Sequence, residues 1–74
     1  MDEQVLDLRG LKCPLPVLRT RKAMRGLAPG TRLWVETTDP LALIDVPNYC
    51  REDGHALIES AAGDGFHRFL IERG

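Results

Sequence analysis

Two cysteines and two histidines are the side chains best suited to covalent or metal chemistry in this chain, and the neighbours of Cys13 set it apart from the rest. Cysteine reacts as the thiolate, whose pKa falls at helix N-termini and beside cations. Cys13-Pro14-Leu15-Pro16 places this cysteine at the start of a helical pattern over Pro14 to Leu27, because proline suits a first turn whose N–H groups lack intrahelical partners anyway. Cys13 is then the expected N-cap, with sulfur in the role of a capping oxygen. Pro16 has no N–H, so Leu15 is the expected backbone donor to the sulfur. The helix dipole adds about half a positive elementary charge at that end, and Arg9 and Lys12 lie close in sequence. Pro14 and Pro16 stiffen the segment and leave the sulfur at a protruding corner.

The other candidates read as structural. Helical spacing groups Cys50 with Leu43, Val46 and Pro47 on a stripe facing a sheet, where a free cysteine behaves as a small hydrophobe. The two cysteines do not make the Cys-x-x-Cys spacing of a dithiol redox site. His55 and His67 lie on strands far from Cys13 in sequence, and no cysteine or histidine pair has zinc-ligand spacing, so neither a metal nor a cofactor is expected. No third group orients a Cys–His pair, and Glu52 and Asp53 read as a solvated helix end.

The elements that must position Cys13 follow from periodicity. Val5 to Arg9 alternates, with Leu6 and Leu8 on one face, and Gly10 breaks the strand. In the helix, Pro16, Val17, Thr20, Ala23, Met24 and Leu27 share a stripe, which leaves Leu15 and Leu18 near water beside Cys13. Thr31 to Thr38 alternates as a second strand with Trp34 outward. Asp39-Pro40 opens a second helix to about Asp53, with a kink or restart near Asp45 and Val46 because Pro47 is interior. His55 to Ala62 and Phe66 to Arg73 are strands joined by the hairpin signal Gly63-Asp64-Gly65, with Phe69 and Ile71 facing the core. The order βαβαββ implies an α/β two-layer sandwich: a four-stranded mixed sheet with two helices on one face, and Trp34, Arg68 and Leu70 on the open face.

Seventy-four residues allow one domain, residues 1–74, and exclude a dinucleotide-binding enzyme or a barrel. The net charge of −1 conceals a block over residues 9–32 with seven bases, Arg19 among them, and no acid. Such a block steers encounters with acidic surfaces, anions or nucleic acid. Few aromatics are present and none form stacking platforms, so direct nucleic-acid contact is not expected. The longest apolar run, Leu41 to Ile44, is far short of the ~20 residues that cross a bilayer. The acidic start does not resemble a secretory signal, and a cytoplasmic location is expected.

Over Leu6-Asp7-Leu8-Arg9-Gly10-Leu11-Lys12-Cys13-Pro14-Leu15-Pro16-Val17 the chain resembles the TusA/SirA-like family of small sulfur carriers. The likeness continues through Pro29-Gly30, Asp39-Pro40, Asp45-Val46-Pro47-Asn48-Tyr49-Cys50 and the final hairpin. It implies that Cys13 accepts sulfane sulfur as a persulfide; on the reading of the residues, Pro14, Leu15 and Pro16 shape that site and Arg9, Lys12 and Arg19 give it electrostatic support. It implies a cysteine desulfurase or rhodanese as donor and a downstream acceptor protein in tRNA thiolation, molybdenum-cofactor supply or sulfur oxidation. Such a protein is a sulfurtransferase in the sense of a carrier, not a stand-alone turnover enzyme. Leu15 and Thr38 stand where some family members carry acids, which bears on the relay served. The alternative is a protein- or RNA-interaction module that uses the basic first helix without sulfur chemistry.

Overall fold

Alternating side chains build a sheet, and two helical stripes cover one of its faces. The structure is a computed structural model and describes residues 4–74; Asp2 and Glu3, part of the acidic start, lie outside the described residues. The elements run β1 (Gln4–Leu8), α1 (Leu15–Arg25), β2 (Arg32–Thr37), α2 (Ala42–Asp53), β3 (Ala56–Ala62) and β4 (His67–Glu72). This is the expected βαβαββ order, in one mixed sheet arranged β1-β2-β4-β3. β1 and β2 pair in parallel, with Leu6 opposite Val35 and Leu8 opposite Thr37. A parallel pair requires a crossover, and α1 supplies it. β4 runs antiparallel to both β2 and β3.

Leu8, Leu33, Val35, Phe69 and Ile71 form the covered face, closed over by Met24 of α1 and by Ala42, Val46, Tyr49 and Cys50 of α2. Pro16, Thr20 and Met24 recur every four residues on the inner side of α1. The buried Thr20 hydroxyl is satisfied there, donating to the Pro16 carbonyl at 2.7 Å.

Helix α2 departs from the sequence expectation. Its buried stripe is Ala42, Val46, Tyr49 and Cys50, so Leu43 turns outward and is 49% exposed. The expected and observed stripes share Val46 and Cys50, and helical periodicity alone does not choose between faces so nearly overlapping. The helix also runs unbroken through Pro47, so the expected restart near Asp45 and Val46 does not occur. Proline removes the bond from residue 47 to the Leu43 carbonyl, and Leu43 is exposed, where solvent can satisfy that oxygen.

On the opposite sheet face Leu70 is only 6% exposed, against the expectation that it lies open. Trp34 stands directly across from it in the β2–β4 ladder. Arg68 stacks over the Trp34 ring at 4.3 Å and pairs with Glu36 at 3.1 Å. An aromatic side chain held by a cation in this way screens its cross-strand neighbour.

Candidate functional site

Because β1 and β2 are parallel neighbours in register, the segments leaving their C-terminal ends emerge side by side. One carries Gly10 to Cys13 and the other Thr38 to Leu41. Gly10 adopts φ +87°, a conformation glycine reaches without the strain of a Cβ. Its N–H donates to Thr38 Oγ1 at 2.8 Å, tying the two segments together. Between them opens a groove of about 500 Å³ lined by Gly10, Leu11, Lys12, Cys13, Asp39 and Leu41 among others.

Cys13 is exposed, Cys50 is buried, and both are free thiols. The N-cap of α1 is Pro14, without a side-chain capping bond. Cys13, the expected cap, therefore lies one position before the observed one, joined to Pro14 by a cis peptide bond. The Leu15 N–H donates to the Lys12 carbonyl at 2.9 Å, so it is not the donor to sulfur. The Lys12–Leu15 turn occupies the amide that a capping cysteine would have used.

The side chains facing Cys13 are acids. Its backbone N–H donates to Asp39 Oδ2 at 2.5 Å, and its thiol donates to Asp45 Oδ2 at 3.2 Å. Asp39 is fixed in turn, because its Oδ1 accepts from the Leu41 N–H at 3.0 Å. The turn at Pro40 and Leu41 separates Asp39 from α2, whose N-cap is Leu41. The thiol is pushed above its ordinary pKa, first by the hydrogen bond to Asp45, then by lost solvation and by the charges of Asp45 and Asp39. The sequence expectation of a thiolate favoured by cations is thus reversed at this sulfur.

The cations named from sequence are placed unequally. Lys12 lines the groove. Arg9 turns to Asp7, with Nε to Oδ1 at 2.9 Å and a second bond at 3.0 Å, and lies over the Phe66 ring at 5.6 Å. That pair holds the Asp7 carboxyl down at about 2. Arg19 is exposed on α1 and makes no hydrogen bond to the Cys13 loop. Pro14 and Leu15 are exposed at the corner, whereas Pro16 is buried as its anchor. Asp39 and Asp45 were absent from the sequence-derived site. Their proximity depends on strand register and on the face of α2, and no local spacing reports either.

Cys50 is only 2% exposed and burial pushes its thiol up to about 11. Among the described residues no group of three or more His, Cys, Asp and Glu side chains is placed to hold a metal ion. No helix among them is long and apolar enough to cross a membrane.

The chain matches the family described as Sulfurtransferase TusA over residues 4–73. It is 36% identical over 73 residues to the sulfur carrier protein TusA of Buchnera aphidicola, covering 99% of this chain and 92% of that one. It is 38% identical over 71 residues to the sulfur carrier protein TusA of Allochromatium vinosum, covering 96% and 93%. Among solved structures, the SirA-like protein of Desulfitobacterium hafniense superposes with a TM-score of 0.85 at 25% identity, covering 96% of this chain and 97% of that chain.

Proposed function

The chain belongs to the sulfurtransferase TusA family of sulfur carriers, and from that premise we propose that it carries sulfane sulfur as a persulfide on Cys13 and passes it to a partner's cysteine. The observation that carries this reading is the contrast between its two thiols: Cys13 is exposed at a groove, and Cys50 is enclosed in the core. A partner's active site can reach only a sulfur at the surface.

The chemistry is thiol–persulfide exchange. Cys13 attacks the terminal sulfur of a donor persulfide, the donor's S–S bond breaks as the Cys13 S–S bond forms, and the proton lost by Cys13 goes to the displaced donor thiolate. No net oxidant is consumed. A cysteine desulfurase or a rhodanese supplies such a persulfide, and an acceptor cysteine repeats the exchange downstream. The destinations that fit are thiolation of tRNA, molybdenum-cofactor supply and sulfur oxidation. Direct contact with nucleic acid is not required, and a reducing cytoplasm suits a free carrier thiol.

Pro14, Leu15 and Pro16 shape the corner, and one domain spanning residues 1–74 suffices for the role. Arg9, Lys12 and Arg19 contribute to the surface field that partners meet, not to the ionisation of sulfur. Radiolabelled sulfur supplied through a desulfurase with cysteine, or a rhodanese with thiosulfate, should appear on the chain and be released by thiol reductant. Label retained by the Cys13→Ser protein at the wild-type level would refute the assignment.

A further inference from the structure

Two carboxylates from different segments bracket Cys13. Asp39 precedes α2 and accepts a hydrogen bond from the backbone N–H, while Asp45, in the first turn of α2, accepts one from the thiol at 3.2 Å. Lys12 is the cation on the cysteine's own segment that lines the groove. Farther along α2, Glu52 lies in an adjoining depression with Pro14, Val17 and Asp45. Among the described residues Asp45 makes no ion pair, and its side-chain hydrogen bond is to the Cys13 thiol.

We propose that Asp45 is a latch on Cys13: it holds the sulfur as a hydrogen-bonded thiol in the free chain and releases it when a docking protein sets a cationic side chain against the carboxylate. This rests on Cys13 being the sulfur-carrying residue. The S–H bond to Asp45 exists only while the sulfur is protonated. Ionisation replaces it with two like charges at hydrogen-bond distance, which opposes loss of the proton. The upward direction of the Cys13 thiol agrees.

Asp45 is not the base that removes the proton. A carboxylate is a far weaker base than a thiolate, so the shared proton stays on sulfur. A partner's lysine or arginine resolves the conflict: it pairs with Asp45, the thiol proton passes through solvent to the displaced donor thiolate, and the Cys13 thiolate attacks. Reactivity is thereby confined to complexes, and the free chain's exposed thiol is guarded against adventitious electrophiles and oxidants.

The test uses the full chain carrying Cys50→Ser, so that Cys13 alone reports. Iodoacetamide alkylation is followed against pH for this parent and for Asp45→Asn, Asp45→Glu and Asp64→Asn, each checked for folding by thermal unfolding. Asp45→Asn should shift the profile to lower pH and speed alkylation several-fold near neutrality. Asp45→Glu should restore most of the parent behaviour, and Asp64→Asn, at the exposed hairpin, should leave it alone. In loading by a cysteine desulfurase, Asp45→Asn should raise the donor concentration for half-maximal rate several-fold. An unmoved alkylation profile in folded Asp45→Asn overturns the latch. A moved profile with unchanged donor dependence overturns release by a partner's cation. Failure of the parent to load sulfur from any donor overturns the carrier reading instead, because the alkylation arm does not depend on loading.

Discussion

The exposure of Cys13 was legible from its own neighbourhood, since a cysteine before two closely spaced prolines in a basic stretch is an unusual setting for a packed thiol. The charges that act on it were not, because its partners Asp39 and Asp45 lie 26 and 32 residues away. Sequence proximity favoured the cations, and the fold brought acids to the sulfur instead. Arg9 shows the same reversal, since its charge is taken up by Asp7 two residues before it. The Asp7 carboxyl should titrate at about 2 in the folded chain and return toward the ordinary carboxyl range in Arg9→Gln, as followed by side-chain NMR. Its folded pKa is the lower one. The pair's stabilisation is therefore present above the ordinary carboxyl value of 3.8 and is lost as pH falls toward about 2. Cys50, with its thiol at about 11 and its side chain in the core, should resist alkylation in the native chain and react once denaturant unfolds it.

At the scale of elements, period-two and helical patterns sufficed to locate β1, β2, β4 and both helices, because each of these buries one face, whereas β3, exposed at every position, was marked by the Gly63-Asp64-Gly65 hairpin signal that follows it. They failed where two faces compete closely, as in α2, and where a cross-strand partner covers an outward residue, as Trp34 does for Leu70. Replacing buried Val46 by alanine should cost about 2–3 kcal/mol in denaturant unfolding, as a cavity in a core does. Val5→Ala, at a position 55% exposed, should be close to neutral. Gly10 has open space where a Cβ would stand, but its φ of +87° strains any other residue. Gly10→Ala should therefore cost about 1–2 kcal/mol through backbone conformation. It should also slow sulfur loading, because the turn that Gly10 makes is tied to Thr38.

For the molecule as a whole, the segregation of charge along the chain becomes partial neutralisation in space. Arg21 from the basic block meets Asp53 at 3.6 Å, and Arg32 meets Glu72 at 3.1 Å. Exposed pairs of this kind contribute little to stability, typically under ~1 kcal/mol, so their larger consequence is to temper the basic surface. The end of the molecule that bears Cys13 keeps exposed apolar side chains: Leu15 beside it on α1 and Leu41 in the groove. Leu41→Ser should raise the donor concentration needed for half-maximal loading while leaving iodoacetamide alkylation unchanged, since a small reagent needs no docking surface. The groove itself was not legible in the sequence. It exists because the parallel register of β1 and β2 sets two distant segments edge to edge.

The central claim is that sulfur resides on Cys13, and the most direct test is intact-mass and peptide mapping of alkylated protein after a cysteine desulfurase with cysteine, or a rhodanese with thiosulfate. Wild type, Cys13→Ser and Cys50→Ser would be compared. One added sulfur on the Cys13 peptide in wild type and Cys50→Ser, with none in Cys13→Ser, is the expected result. Equal loading of the two single mutants, or no loading by either donor of a Cys13 that alkylates readily, would contradict it.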